Sequence, residues 1–310
     1  MSSKLPEFVK IVDVGPRDGL QNEKNHVPTA DKIALVGLLQ DAGLREIEVT
    51  SFVSPKWVPQ MADALEVMAG IVRHPGVRYS VLTPNLKGWE AAVATRPDEI
   101  VVFGAASEAF SQKNINCSIA ESIDRFAPVV AAAKAAGVKV RAAISCAVGC
   151  PYEGEVAPAR VGMVARMMRA IGVEHVGVAD TIGVGTPLKV RAAMGAALEH
   201  FPLTEISGHF HDTYGQALSN IYECLQIGIH TFDTSVSGLG GCPYAKGATG
   251  NVATEGVVYL LHGLGIKTGI DLDKLVDAGA FISKAIGKPN GSRVARALLA
   301  KRADAVGSTA

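Results

Sequence analysis

The sequence predicts a (β/α)8 TIM barrel with extra C-terminal helices. Three observations carry this. Eight short runs rich in β-branched residues recur along the 310-residue chain, and each is followed by a stretch with helical spacing of apolar residues. Strict alternation of this kind implies parallel strands, because parallel neighbours need crossover connections. No Gly-x-Gly-x-x-Gly turn follows the first run, which disfavours an open dinucleotide-binding sheet and leaves closure into a barrel.

The strand candidates are 8–14, 45–50, 77–82, 99–103, 138–145, 175–179, 205–210 and 230–236. The helical candidates are 29–41, 58–72, 86–94, 119–136, 158–171, 187–200, 214–227 and 252–264. Gly43, Gly137, Gly172, Gly228 and Gly265 sit where helices should end, and Thr29 stands as a cap ahead of Asp31. The barrel therefore spans about 8–265, in keeping with the roughly 250 residues usual for this architecture. Two more helical patterns, 272–286 and 292–302, form an extension over 266–310 that covers one end of the barrel or makes a subunit contact. The tail 304–310 is expected to fray. No linker sets off a second unit, so 1–310 reads as a single catalytic domain.

Composition narrows the function. Hydrophobic residues make up 48% of the chain, enough for a large core. Lys and Arg number 30 and Asp and Glu number 30, so there is no uniform basic field for nucleic acid. No run of about 18 apolar residues is present, and no membrane span is expected. Five cysteines at irregular spacing (Cys117, Cys146, Cys150, Cys224 and Cys242) argue against a disulfide framework and for a reducing compartment. The first residues lack an apolar signal core, and the final Gly-Ser-Thr-Ala is no peroxisomal tripeptide. A bacterial cytoplasmic protein is the expectation.

Barrel active sites lie at the C-terminal ends of the strands. The seventh strand ends Gly208-His209-Phe210-His211-Asp212. Alternation puts His209 and His211 on one face, about 6–7 Å apart at Cα, a span two imidazoles can close around one ion. Alone the pair suits a core role equally well; its place at a barrel mouth favours a metal. The first strand runs into Asp13-Val14-Gly15-Pro16-Arg17-Asp18-Gly19. Alone, Asp18 reads as a turn residue bonding its own backbone. At a barrel mouth it supplies the anionic ligand that two neutral histidines lack, and Arg17 offers fixed positive charge beside it.

The eighth strand leads to Ser237-Gly238-Leu239-Gly240-Gly241-Cys242-Pro243-Tyr244-Ala245. No Lys-Ser/Thr follows at phosphate-loop spacing, so the reading is a closing loop that delivers the Cys242 thiol as acid or base. The other four cysteines read as buried and inert. Asn251 opens the last barrel helix, where a cap is the simplest role. Glu255 follows one turn later as its hydrogen-bonding partner. Glu48 in the second strand either pairs with a barrel cation such as Arg17 or positions substrate. Asp180 at the end of the sixth strand either caps the next helix or takes part in the chemistry.

Three segments carry a family resemblance. They are Val14-Gly15-Pro16-Arg17-Asp18-Gly19-Leu20-Gln21-Asn22-Glu23, Glu48-Val49-Thr50-Ser51-Phe52-Val53-Ser54-Pro55-Lys56, and Ser235-Val236-Ser237-Gly238-Leu239-Gly240-Gly241-Cys242-Pro243-Tyr244. Together they resemble the 3-hydroxy-3-methylglutaryl-CoA lyase family, within the metal-dependent barrel lyases and Claisen-type synthases. The similarity runs from about residue 8 to about residue 290. It implies metal ligation by Asp18, His209, His211 and Asn251, substrate contact by Arg17, and catalysis by Cys242, with Glu48 and Asp180 as acidic groups nearby. It also implies an acyl-CoA substrate and cleavage of a carbon–carbon bond, as in leucine degradation and ketone-body formation. Asp180 or a held water would serve as base. Two imidazoles and a carboxylate also suit iron, but the oxygen donors point to Mg2+ or Mn2+ ahead of zinc.

Two alternatives share Arg17, Asp18 and the histidine pair. One is a Claisen-type synthase joining acetyl-CoA to a 2-keto acid; the other is a lyase for a related 3-hydroxyacyl-CoA. A catalytically dead barrel would predict loss of at least one of Asp18, His209, His211, Asn251 and Cys242, and all five are present. A homodimer is compatible with the C-terminal helices.

Overall fold

Eight parallel strands close into a barrel in the computed structural model, which describes residues 5–241 and 250–307. The strands are β1 (Lys10–Asp13), β2 (Glu46–Ser51), β3 (Arg78–Leu82), β4 (Glu99–Ala105), β5 (Lys139–Ser145), β6 (His175–Asp180), β7 (Ile206–Phe210) and β8 (Thr231–Thr234). They pair in chain order, and β1 closes the ring against β8 with Asp13 opposite Thr234. The β2–β3 ladder shifts register between Glu48 and Thr50, an irregularity of the kind that re-aims side chains next to active sites.

Helices α1 (Thr29–Asp41), α2 (Ala64–Gly70), α3 (Leu86–Ala94), α4 (Glu108–Ile115), α5 (Ile119–Ala135), α6 (Pro158–Ala170), α7 (Pro187–Leu198), α8 (Ala217–Gln226) and α9 (Thr254–Gly263) surround the barrel. The main core lies between strands and helices, where Ile47, Val140 and Ile144 join Leu35, Leu39, Val161 and Met168 in one buried cluster. The barrel interior is more polar. It holds Arg141, Ser207, His209 and Asp233, joined to one another by hydrogen bonds, and Glu48, which is bonded to Arg17.

Several expectations need correction. Thr29 does not cap α1; Pro28 holds the cap position, and Thr29 donates its hydroxyl to Asp63 at 2.8 Å. The pattern over 58–72 splits into a short turn at Pro59–Met61, with Pro59 in its first position, and α2. α4 was not expected, since its polar sequence has a weak apolar stripe; Ser107 caps it by accepting from Phe110 N at 3.0 Å. A small antiparallel hairpin, Gly149–Cys150 with Gly154–Glu155, also went unforeseen.

The five expected helix-ending glycines all have positive φ. Gly43 is the most constrained of them, because a Cβ there would collide with the Gly269 carbonyl oxygen. The C-terminal extension forms α10 (Leu272–Ile286) and α11 (Arg293–Gly307), so the chain stays helical past the start of the expected frayed tail. α10 packs against α1 and against the turn Val236–Gly238 that follows β8. Ser283 Oγ lies 2.8 Å from Ser237 Oγ, and Gly291 N donates to Ser237 O at 3.0 Å. The extension thus braces the stem of the loop that leads to Cys242. No helix among the described residues is long and apolar enough to cross a membrane.

Candidate active site

After β1 the chain enters one wide helical turn, Gly15–Gly19, which places Arg17 and Asp18 at the C-terminal mouth of the barrel. Arg17 is buried. Its Nε donates to Glu48 Oε1 at 2.7 Å, its Nη2 to Glu48 Oε2 at 3.0 Å, and its Nη1 to Asp18 Oδ1 at 2.8 Å. Glu48 therefore takes the ion-pairing role, holding the guanidinium in a bidentate grip while Arg17 in turn fixes Asp18.

Asp18, His209 and His211 bring one ligand atom each to within 4.8 Å of one another. Asp18 Oδ2 lies 4.0 Å from His209 Nε2, and the two imidazole centroids are 5.6 Å apart. The protonation chemistry fits a divalent cation. Burial pushes the Asp18 carboxyl up, but Arg17 and the two histidines outweigh it and bring the group to about 2, so it is an anion. Burial, with His209 alongside, pushes His211 down to about 4, leaving a neutral imidazole with a lone pair. Two buried atoms facing this region lack a hydrogen-bond partner among the described residues: His211 Nδ1 and Asn251 Oδ1. Buried polar atoms are rarely left so, and a cation would account for them.

Asn251 does not cap α9; Ala253 does. Instead 250–253 runs alongside the barrel rim. Asn251 bridges to His211, Val252 N donates to Phe210 O at 2.9 Å, and Ala253 bridges to Ser235. That strand-like path delivers Asn251 Nδ2 to Asp18 Oδ2 at 2.7 Å and to Leu239 O at 3.2 Å. Gly240 passes so close that a Cβ would lie 2.7 Å from Asn251 Nδ2, and its φ of +118° is open to glycine.

Glu255 is not the partner of Asn251. Both its oxygens accept from Ser237 N, at 3.0 and 3.1 Å. Rotation along α9 turns it away from the cluster and toward the stem of the loop, where burial pushes its carboxyl up to about 8. Asp13, unrecognised in the sequence, does similar work. It accepts from Gly15 N at 2.8 Å, Val236 N at 3.0 Å and Thr254 Oγ1 at 2.7 Å, tying the ends of β1 and β8 to the start of α9.

Asp180 accepts from Val184 N at 3.1 Å and Gly185 N at 2.8 Å, so it organises the loop after β6. Burial raises its carboxyl to about 6 against the pull of those amides and of His209. Cys242 lies outside the described residues. The segment before it is anchored where Asn22 Nδ2 donates to Gly241 O at 3.0 Å. Cys117, Cys146, Cys150 and Cys224 are buried, and burial drives the Cys224 thiol well above its ordinary value, as expected of inert thiols.

Two further residues were missed. Asp233 and Arg141 are charged side chains in the middle of buried strands, and that position was the available signal. Asp233 Oδ2 lies 3.2 Å from His209 Nδ1, and Arg141 Nη2 donates to Asp233 Oδ1.

A parallel barrel with an arginine clamp and an Asp–His–His cluster able to hold a metal ion at its C-terminal mouth has the build of a barrel enzyme. The HMGL-like family model matches residues 8–282. The chain is 60% identical over 297 residues to the 3-hydroxy-3-isohexenylglutaryl-CoA/hydroxy-methylglutaryl-CoA lyase of Pseudomonas aeruginosa, covering 96% of this chain and 99% of that one. The crystal structure of hydroxymethylglutaryl-CoA lyase from Pseudomonas aeruginosa superposes with a TM-score of 0.94 at 60% identity, over 96% of this chain and 99% of that one. The mitochondrial hydroxymethylglutaryl-CoA lyase of Bos taurus is 56% identical over 293 residues, 94% of this chain and 90% of its own length. The chain belongs to the hydroxymethylglutaryl-CoA lyase family and is a carbon–carbon lyase.

Proposed function

We propose that this barrel cleaves 3-hydroxy-3-methylglutaryl-CoA to acetyl-CoA and acetoacetate, with Mg2+ or Mn2+ held by Asp18, His209, His211 and Asn251. The observation that carries the assignment is the buried Arg17 guanidinium, locked by Glu48 and bonded to the ligand Asp18. It places a fixed cation beside the candidate metal site, where an acyl-CoA thioester oxygen gains charge as it becomes an enolate. When bound, the divalent cation supplies Lewis acidity that lowers the pKa of a hydroxyl and orients it.

The chain's own groups divide the remaining work. Asp180, with its carboxyl near 6 and its position fixed by Val184 N and Gly185 N, takes the proton of the tertiary hydroxyl. The oxygen becomes the ketone of acetoacetate as the C2–C3 bond breaks, and the bonding pair moves into the acetyl-CoA enolate. Arg17 stabilises that enolate oxygen. The Cys242 thiol gives its proton to the enolate carbon. Asp13, Glu255 and Ser283 hold the segment at Val236 and Ser237 that leads towards Cys242.

The experiment is product analysis. Acetoacetate and acetyl-CoA formed one for one from 3-hydroxy-3-methylglutaryl-CoA support the reading. Free thiol released from acetyl-CoA and a 2-keto acid, without lyase turnover, contradicts it. The name of the Pseudomonas aeruginosa relative favours a second substrate, a 3-hydroxyglutaryl-CoA with a longer branch at C3, and the same assay measures it.

A further inference from the structure

We infer that Asp233 is a positioning residue for His209, fixing which imidazole nitrogen carries the proton and turning the other toward Asp18 and His211. The inference rests on the reading of His209 as a metal ligand.

Asp233 and His209 are register partners on adjacent strands, β8 and β7, so both side chains enter the barrel at one level. Asp233 Oδ2 lies 3.2 Å from His209 Nδ1. A carboxylate offers only acceptors, so Nδ1 supplies the proton of this contact, and in the neutral ring that a cation requires it is then Nε2 that carries the lone pair. Nε2 is the nitrogen that faces Asp18 Oδ2, 4.0 Å away. One contact therefore selects both the tautomer and the ring orientation that a cation at this cluster requires.

Asp233 is itself held. Arg141 on β5 donates through Nη2 to Asp233 Oδ1 and, at 2.9 Å, to Ser207 Oγ on β7. All three lie in the barrel interior, where water cannot substitute for a lost partner. The pair is a fixed anion beneath the metal site, aimed by a fixed cation. Asp233 meets the cluster through His209, and Arg141 acts through Asp233.

The test is Mn2+ binding to the intact protein, followed by calorimetry and by the electron paramagnetic resonance of free Mn2+. Wild type should bind, and Asp233→Asn should bind about 10- to 100-fold more weakly. Nitrogen-15 spectra of the histidine side chains should show the His209 proton confined to Nδ1 in wild type and shared between the nitrogens in the variant. A residue that merely packs the barrel would lower the melting temperature and leave both readouts alone. Asp233→Asn strands the Arg141 charge, so it could fail to fold. The double variant Asp233→Asn/Arg141→Gln removes that charge and should still bind Mn2+ weakly. Wild-type affinity in either folded variant, alongside binding by wild type, overturns this inference alone. A wild-type protein that binds no Mn2+ overturns the ligand reading and this inference with it.

Discussion

Asn251 donates its amide to Asp18 across 2.7 Å, while the oxygen of the same amide is buried without a partner among the described residues. The carboxamide is thus tied to one candidate ligand and has an acceptor to spare. Asn251→Ala removes both features. The expected outcome is at least about tenfold weaker Mn2+ binding by calorimetry, with the fold kept by circular dichroism. Unchanged affinity would remove Asn251 from the ligand set.

The Arg17–Glu48 grip predicts two graded losses. Arg17→Met removes the enolate contact and should lower kcat about 100- to 1000-fold, the usual cost of one oxyanion donor. Arg17→Lys should recover little, because a lysine cannot reproduce the bidentate geometry. Glu48→Gln leaves the guanidinium charge but loosens its grip, so its kcat should fall less than that of Arg17→Met. Steady-state kinetics of the three variants decides; a Glu48→Gln enzyme with wild-type kcat would mean the grip is idle.

Asp180 sets the acid limb of the reaction. A base must be deprotonated, and burial places this carboxyl at about 6. The value of kcat/KM should therefore rise as pH increases through about 6 and level off above. Asp180→Asn should lower the plateau about 100- to 10,000-fold and abolish that limb. An unchanged limb in the variant assigns the base elsewhere.

The barrel was legible because parallel strands need crossovers, so alternation dictates a parallel sheet, and eight such units without a dinucleotide-binding turn leave closure into a barrel. His209 and His211 were legible for a similar reason: period-two spacing puts them on one face whatever the rest of the chain does. Asn251 was legible by resemblance but not in its placement. Its partner is 233 residues away in sequence, and its path along the barrel rim depends on pairing with β7. Glu255 was misread because helical spacing brings two residues onto one face only if both are in the helix, and Asn251 precedes α9. Arg141 and Asp233 act through partners on other strands, and Asp13 through the turn after β8 and the start of α9; no local pattern names those partners. Cys242 rests on its loop sequence, outside the described residues.

Glu255 should make stability depend on pH. Its folded-state carboxyl is pushed up to about 8 from the ordinary 4.5, chiefly by burial. The folded state then holds the proton more tightly than the unfolded state, so stability from this group is present below about 4.5 and is lost as pH rises toward 8. Glu255→Gln mimics the protonated form. Its melting temperature should gain on that of wild type between pH 5 and pH 8, with Asp13, raised to about 7, leaving a residual slope in both proteins. Parallel curves of melting temperature against pH would contradict the assignment.

Asp18, His209, His211 and Asn251 are proposed to hold the divalent cation on which the lyase depends. The most direct measurement is cleavage of 3-hydroxy-3-methylglutaryl-CoA by the purified protein after chelation, with and without added Mg2+ or Mn2+. Chelation should abolish acetoacetate release and either ion should restore it, but not in His209→Ala or His211→Ala. Turnover that persists undiminished in the chelated enzyme, or full restoration in the histidine variants, would contradict it.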